Sequence, residues 1–284
     1  MVVSRGLWIL LAAALATATS ACEFSPAVEE GEPAVQGVGS GQEAVADFVP
    51  AQTRPDVRGT RGAVSAGHPL AAAAGYEVLR KGGNAVDAAV TMAAVLAVVR
   101  PHMNGVGGDA FALIFHADGR EVVALNGSGR AGALADPSFF HEQGFQEEIP
   151  SKGSLSVSVP GAVAAWADAL ARFGTLSLAE ALDPAIHYAS QGFPVSKRLA
   201  ADIRGGADDL NPEGRELYMP GGAPPEPGTL LKNPGLAETL LSVARNGKDG
   251  FYRGSPARSI SAYLEREGGY LREADFVQHS STWV

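Results

Sequence analysis

Between Leu70 and Val99 the apolar residues recur at helical spacing and break once, at Lys81-Gly82-Gly83, so the stretch predicts two helices. The first, LAAAAGYEVLRKGG, follows His68-Pro69, carries Lys81 in its last turn and stops at Gly82. His68 in that place reads as a helix cap rather than a catalytic base. Asn84 caps the second, AVDAAVTMAAVLAVV, which is apolar nearly all round and therefore buried; Pro101 closes it. The period then changes. Residues 111–115 (FALIF) form a compact apolar run, read as a strand buried on both faces. Asp118-Gly119 marks a tight turn and residues 121–125 the returning strand. Residues 62–66 (GAVSA) and 154–159 (SLSVSV) predict two more strands. Further helices are predicted for AVAAWADALARFG, for residues 178–190 with Gly192 as the stop, for PGLAETLLSVARNG, and for SPARSISAYLEREGG. Residues 136–151 read as a surface segment and 205–228 as a long irregular excursion. The final STWV reads as the start of a strand with nothing after it, hence an open ladder and a product cut short. Helices around an antiparallel hairpin make the expected class α+β.

The N-terminus has a different character. Residues 1–22 (MVVSRGLWILLAAALATATSAC) have one Arg, an apolar run too short to span a bilayer, and small residues before Cys22, which is a signal-peptide layout. Cys22, the only cysteine, stands where a bacterial lipoprotein would be cleaved and lipidated; plain secretion with Cys22 left over is the alternative. Residues 23–58 lack an apolar period and read as a disordered tether, with the folded domain over 59–284. The protein is thus expected to be exported, periplasmic or at the cell surface, and to meet a membrane only through an N-terminal lipid. A net charge of −9 without any long basic run argues against nucleic acid as a partner.

Glycine-rich loops flank the hairpin. The first, HMNGVGGD, carries Asn104 and Asp109 and reads either as an anion pocket lined by backbone N–H groups or as a tight turn feeding the strand. The second, residues 127–132 (GSGRAG), spells the dinucleotide fingerprint directly after a strand. That motif needs a long helix and a parallel β-α-β unit, and Pro137 stands in the way. Arg130 is the one full positive charge in this loop. It suits a carboxylate, which a guanidinium grips with two parallel hydrogen bonds, but a structural salt bridge or plain solvation also fit. No metal-ligand spacing and no G-x-S-x-G elbow occur, so the chain shows a possible carboxylate clamp without a complete catalytic set.

Three long stretches in order carry a resemblance: VSAGHPLAAAAGYEVLRKGGNAVDAAV, RPHMNGVGGDAFALIF and LKNPGLAETLLSVARNGKDGFYRG. They resemble the large-subunit part of the gamma-glutamyltransferase (glutathione hydrolase) family, from about Val57 to the last residue. The resemblance implies an Ntn-hydrolase-like αββα sandwich, of which this is the N-terminal portion. It also implies transfer or hydrolysis of γ-glutamyl or related carboxyl-bearing amides without a cofactor. The nucleophile would be a Thr freed by self-cleavage, whose α-amine serves as its base. No such Thr segment is present, so catalytic residues are expected in a small-subunit partner from the same precursor, and this chain alone is expected to be inactive. Substrate-binding residues implied here are Arg130, Ser128 and Asn104. The family's loop reads Arg-Glu-x-Ala-Pro; aligned on the shared Ala, Ser128 stands at that Arg and Arg130 lies two residues on. The GSGRA pattern is more similar to the divergent branch of cephalosporin-acylase-like and small-amide hydrolases. From another class, a non-catalytic, lipid-anchored carboxylate-binding protein is the alternative.

Overall fold

The computed structural model describes Ile9–Leu11 and residues 57–284. The remainder of the leader, Cys22 and most of the tether lie outside the described residues. One compact unit takes in residues 64–284 together with the strand β1, Ile9–Leu11. Two helices open it, α1 (Pro69–Arg80) and α2 (Ala85–Val99), followed by the hairpin β2 (Ala110–His116) and β3 (Glu121–Gly127). A short α3 (Pro137–Glu142) leads to α4 (Ala162–Phe173) and α5 (Leu178–Gln191). Next come β4 (Phe193–Pro194), α6 (Lys197–Gly205), α7 (Pro212–Tyr218) and β5 (Leu230–Leu231). The chain closes with α8 (Pro234–Asn246), α9 (Asp249–Tyr252), α10 (Ser255–Arg266), α11 (Glu273–Val277) and β6 (Thr282–Trp283).

Local chemistry sets the helix starts as expected. The His68 Nδ1 accepts from the Leu70 N–H at 3.2 Å, so His68 is a cap. Asn84 and Asp87 form a reciprocal capping box at α2. Asp87 is wholly buried and also accepts from the Thr175 and Leu176 N–H groups and the Thr175 hydroxyl, which binds the start of α2 to the α4–α5 corner. Ser177 and Glu180 repeat the capping box at α5, and Gly192 ends that helix at φ 97°.

β1, β2, β3 and β6 make one antiparallel sheet in that order, with Ile114 opposite Val123 and Leu125 opposite Trp283. Ile114, Val123 and Leu125 are buried on the face that α4 covers. The expectation that FALIF is buried on both faces is wrong. Phe111, Leu113 and Val122, on the other face, are 47%, 46% and 63% exposed because no second layer covers them among the described residues. The expected open ladder at STWV is also corrected: β6 pairs with β3, and Val284 and Ala124 exchange two 2.8 Å bonds. Residues 62–66 and 154–159 are irregular, since neither finds a ladder partner; the second instead lies against the loop after β3. The segments read as surface and excursion contain α3 and α7, each started by an Asx cap and a proline.

Candidate functional site

The site grows from the two glycine loops, which the antiparallel hairpin brings to the same end of the sheet. The Asp109 carboxylate accepts from the Gly129 N–H at 2.8 Å, and the Gly108 carbonyl accepts from Gly161 and Ala162 N–H groups at the start of α4. The Val159 N–H donates to the Arg130 carbonyl at 2.9 Å, and the Ser128 N–H to the Asn126 Oδ1 at 2.9 Å. A β-carbon on Gly129 would run into the Val159 carbonyl, and one on Gly161 into that of Gly127. The glycines of the second loop therefore admit another stretch of this chain, not a nucleotide. Only the six-residue α3 follows, so the fingerprint reading fails as expected.

The first loop differs. Gly107 has nothing near the place a β-carbon would take, Gly105 and Gly108 meet only their own loop, and none of the three has positive φ. Their small size is not used by any packing among the described residues, and Gly107 and Gly108 are exposed. At the base of this loop His102 Nε2 lies 3.0 Å from the Asp202 carboxylate, to which Arg198 donates at 2.8 Å, while neither ring nitrogen of His102 makes a hydrogen bond among the described residues. Burial is the main cause that pushes the His102 pKa down, against the pull of Asp202. The hydrogen bond from Arg198 is the main cause keeping Asp202 below the usual carboxylate value.

The backbone clip fixes where Arg130 starts, while its guanidinium is exposed and makes no hydrogen bond or ion pair among the described residues. A structural salt bridge is thereby excluded for it within this part of the chain. Ser128 is exposed beside it, with only a long 3.5 Å contact from its hydroxyl to the Gly129 carbonyl. Asn104 sits in the first loop and has no hydrogen bond to Ser128 or Arg130; the residue that joins the loops is Asp109. Cys22 lies outside the described residues. Sequence reasoning missed Tyr252, whose buried hydroxyl donates to the Pro160 carbonyl at 2.7 Å and accepts from the Ala164 N–H at 3.1 Å. Burial pushes the Tyr252 pKa up, so it stays a donor. FYRG was the available signal, but it names neither Pro160 nor Ala164 as the neighbour. Among the described residues no group of His, Cys, Asp and Glu side chains could hold a metal ion.

A model of the family described as gamma-glutamyltranspeptidase matches residues 71–284. The chain belongs to that family. It is 39% identical over 231 residues to the glutathione hydrolase-like YwrD proenzyme of Bacillus subtilis strain 168, covering 80% of this chain and 43% of that protein. It is 40% identical over 244 residues to the acylase ACY 1 proenzyme of Pseudomonas sp. strain SE83, covering 83% of this chain and 43% of that one. The crystal structure of Helicobacter pylori gamma-glutamyltranspeptidase superposes with a TM-score of 0.76 at 32% identity, over 81% of this chain and 67% of that chain. The fold is the α+β, Ntn-hydrolase fold of gamma-glutamyltranspeptidases, represented by its N-terminal portion. The chain spans less than half the length of the two curated relatives.

Proposed function

We propose that the complete protein hydrolyses or transfers the acyl group of small amides that bear a carboxylate, and that this chain supplies the carboxylate-binding half. The observation that carries the reading is Arg130: its backbone is locked by Val159 and, through Gly129, by Asp109, while its guanidinium is left exposed and unpaired. A cation held on a rigid support and lacking an internal partner is pre-organised for an incoming anion. Ser128, next to it, has a hydroxyl to offer, and Asn104 with the open first loop would form the opposite wall. The nucleophile would come from a small-subunit half of the same precursor, as a self-cleaved Thr. That half would also cover the apolar face of Phe111, Leu113 and Val122. We further propose export through residues 1–22 and a lipid anchor at Cys22.

Two substrate classes fit: γ-glutamyl amides, and the wider amides taken by acylases of this fold. Ser128 in place of the family's usual Arg, with the 40% identity to an acylase proenzyme, favours the second. Arg130→Ala in the complete precursor tests the clamp. A charge-assisted pair of hydrogen bonds is worth about 1.5–3 kcal/mol, so KM for a carboxylate-bearing amide should rise roughly 10- to 100-fold with kcat changed much less. An unchanged KM would remove Arg130 from the site.

A further inference from the structure

Behind the clip that fixes Arg130 lies a buried imidazole without a hydrogen bond. His279 is 9% exposed, and neither ring nitrogen meets a partner among the described residues; Ser281, two residues on, has an equally unpartnered hydroxyl. The ring is stacked on Tyr252, with centroids 5.3 Å apart and planes at 26°. Tyr252 in turn holds the corner of Pro160 and Ala164, between the residues that clamp Arg130 and Gly108. A Phe would stack as well and leave no buried polar atom unsatisfied, so the imidazole needs a reason. Four charges act on it: those of Arg130 after β3, Asp109 before β2, Asp168 on α4 and Lys248 ahead of α9. Lys248 and Asp168 are paired at 3.0 Å, and Asp109 is bonded to Gly129, which leaves Arg130 as the one with no partner.

We propose that His279 is a positioning residue of the Arg130 site, and that a carboxylate on Arg130 and a proton on His279 stabilise each other. The inference rests on Arg130 being a carboxylate site. The proton comes from solvent, and no covalent bond forms or breaks. Burial first and the Arg130 charge second disfavour the imidazolium, with Lys248 acting the same way and Asp109 and Asp168 opposing. A bound carboxylate offsets the Arg130 charge, so His279 is protonated more readily. By linkage, the carboxylate then binds more tightly as pH falls below the ordinary imidazole value of 6.5.

Calorimetric titration of the assembled protein with glycolate tests this, since glycolate has no amide to hydrolyse and stays ionised in weak acid. Buffers of different ionisation enthalpy count the protons taken up. Affinity should rise roughly threefold to tenfold on going from neutral to mildly acidic pH, with fractional proton uptake. His279→Phe, which keeps the stack on Tyr252, should bind glycolate with neither effect. Lys248→Met, at a partly exposed side chain, should move the uptake to higher pH and serves where His279→Phe does not fold. Binding without proton uptake, uptake that survives in His279→Phe, or an unmoved profile in Lys248→Met would each overturn the coupling alone. Failure to bind glycolate at any pH would overturn the Arg130 reading, and the coupling with it.

Discussion

At the scale of single residues, glycine has two different jobs in this chain, and substitution separates them. Gly129 and Gly161 stand where backbone meets backbone, so a methyl group at either must displace a carbonyl. Gly129→Ala should destabilise the fold by about 1–3 kcal/mol in urea denaturation, the usual cost of overpacking. Gly107→Ala, with open space beside it, should leave the midpoint within about 0.5 kcal/mol of the parent. Asp87 is the opposite case, a side chain whose removal leaves holes. Asp87→Ala strips the buried acceptor from the N–H groups of Asn84, Thr175 and Leu176, in bonds that are themselves part-buried. A loss of about 3 kcal/mol or more in the same measurement is expected. A loss below about 1 kcal/mol would show that water replaces the carboxylate there.

At the scale of elements, the starts of α1 and α2 were legible because caps are local: His68 and Asn84 each bond to a residue two or three places ahead. The Arg130 clip and the Asp109 bridge were not, because their partners sit on Val159 and Gly129, brought in by tertiary contact. SLSVSV alternates like a strand, yet it meets a loop instead of a ladder, so period alone misled. His279 gave no signal for the same reason, since Tyr252 on α9 defines its surroundings. The caps also carry a pH dependence. Burial first, then Arg100, lowers the His68 pKa, so the fold prefers the neutral ring that accepts from Leu70. The unfolded chain binds that proton more readily, so stability falls as pH drops through 6.5 and levels off below the folded value. His68→Asn keeps a capping acceptor that does not titrate, and its melting temperature should fall less between neutral pH and mild acid. An identical slope would assign the pH dependence to other groups.

At the scale of the whole molecule, the hairpin is built as an inner wall. One face rests on α4; the other presents Phe111, Leu113 and Val122 to water, each gaining on the order of 1 kcal/mol if covered. Leu113→Lys should scarcely alter the stability of the 284-residue chain, yet it should block assembly and self-cleavage of the complete precursor. Mass measurement of the product decides the matter, because a normally split Leu113→Lys protein would mean that nothing docks there.

The sheet's border has its own logic. The register of β1 places Ile9 beside Phe115 and Leu11 beside Leu113, so three residues near the N-terminus occupy the margin of β2. Cleavage ahead of Cys22 would strip that margin and expose a row of backbone donors and acceptors, the kind of border to which any extended segment can attach. Amide exchange at Leu113 and Phe115 should be faster in a chain that begins at Cys22 than in the full chain.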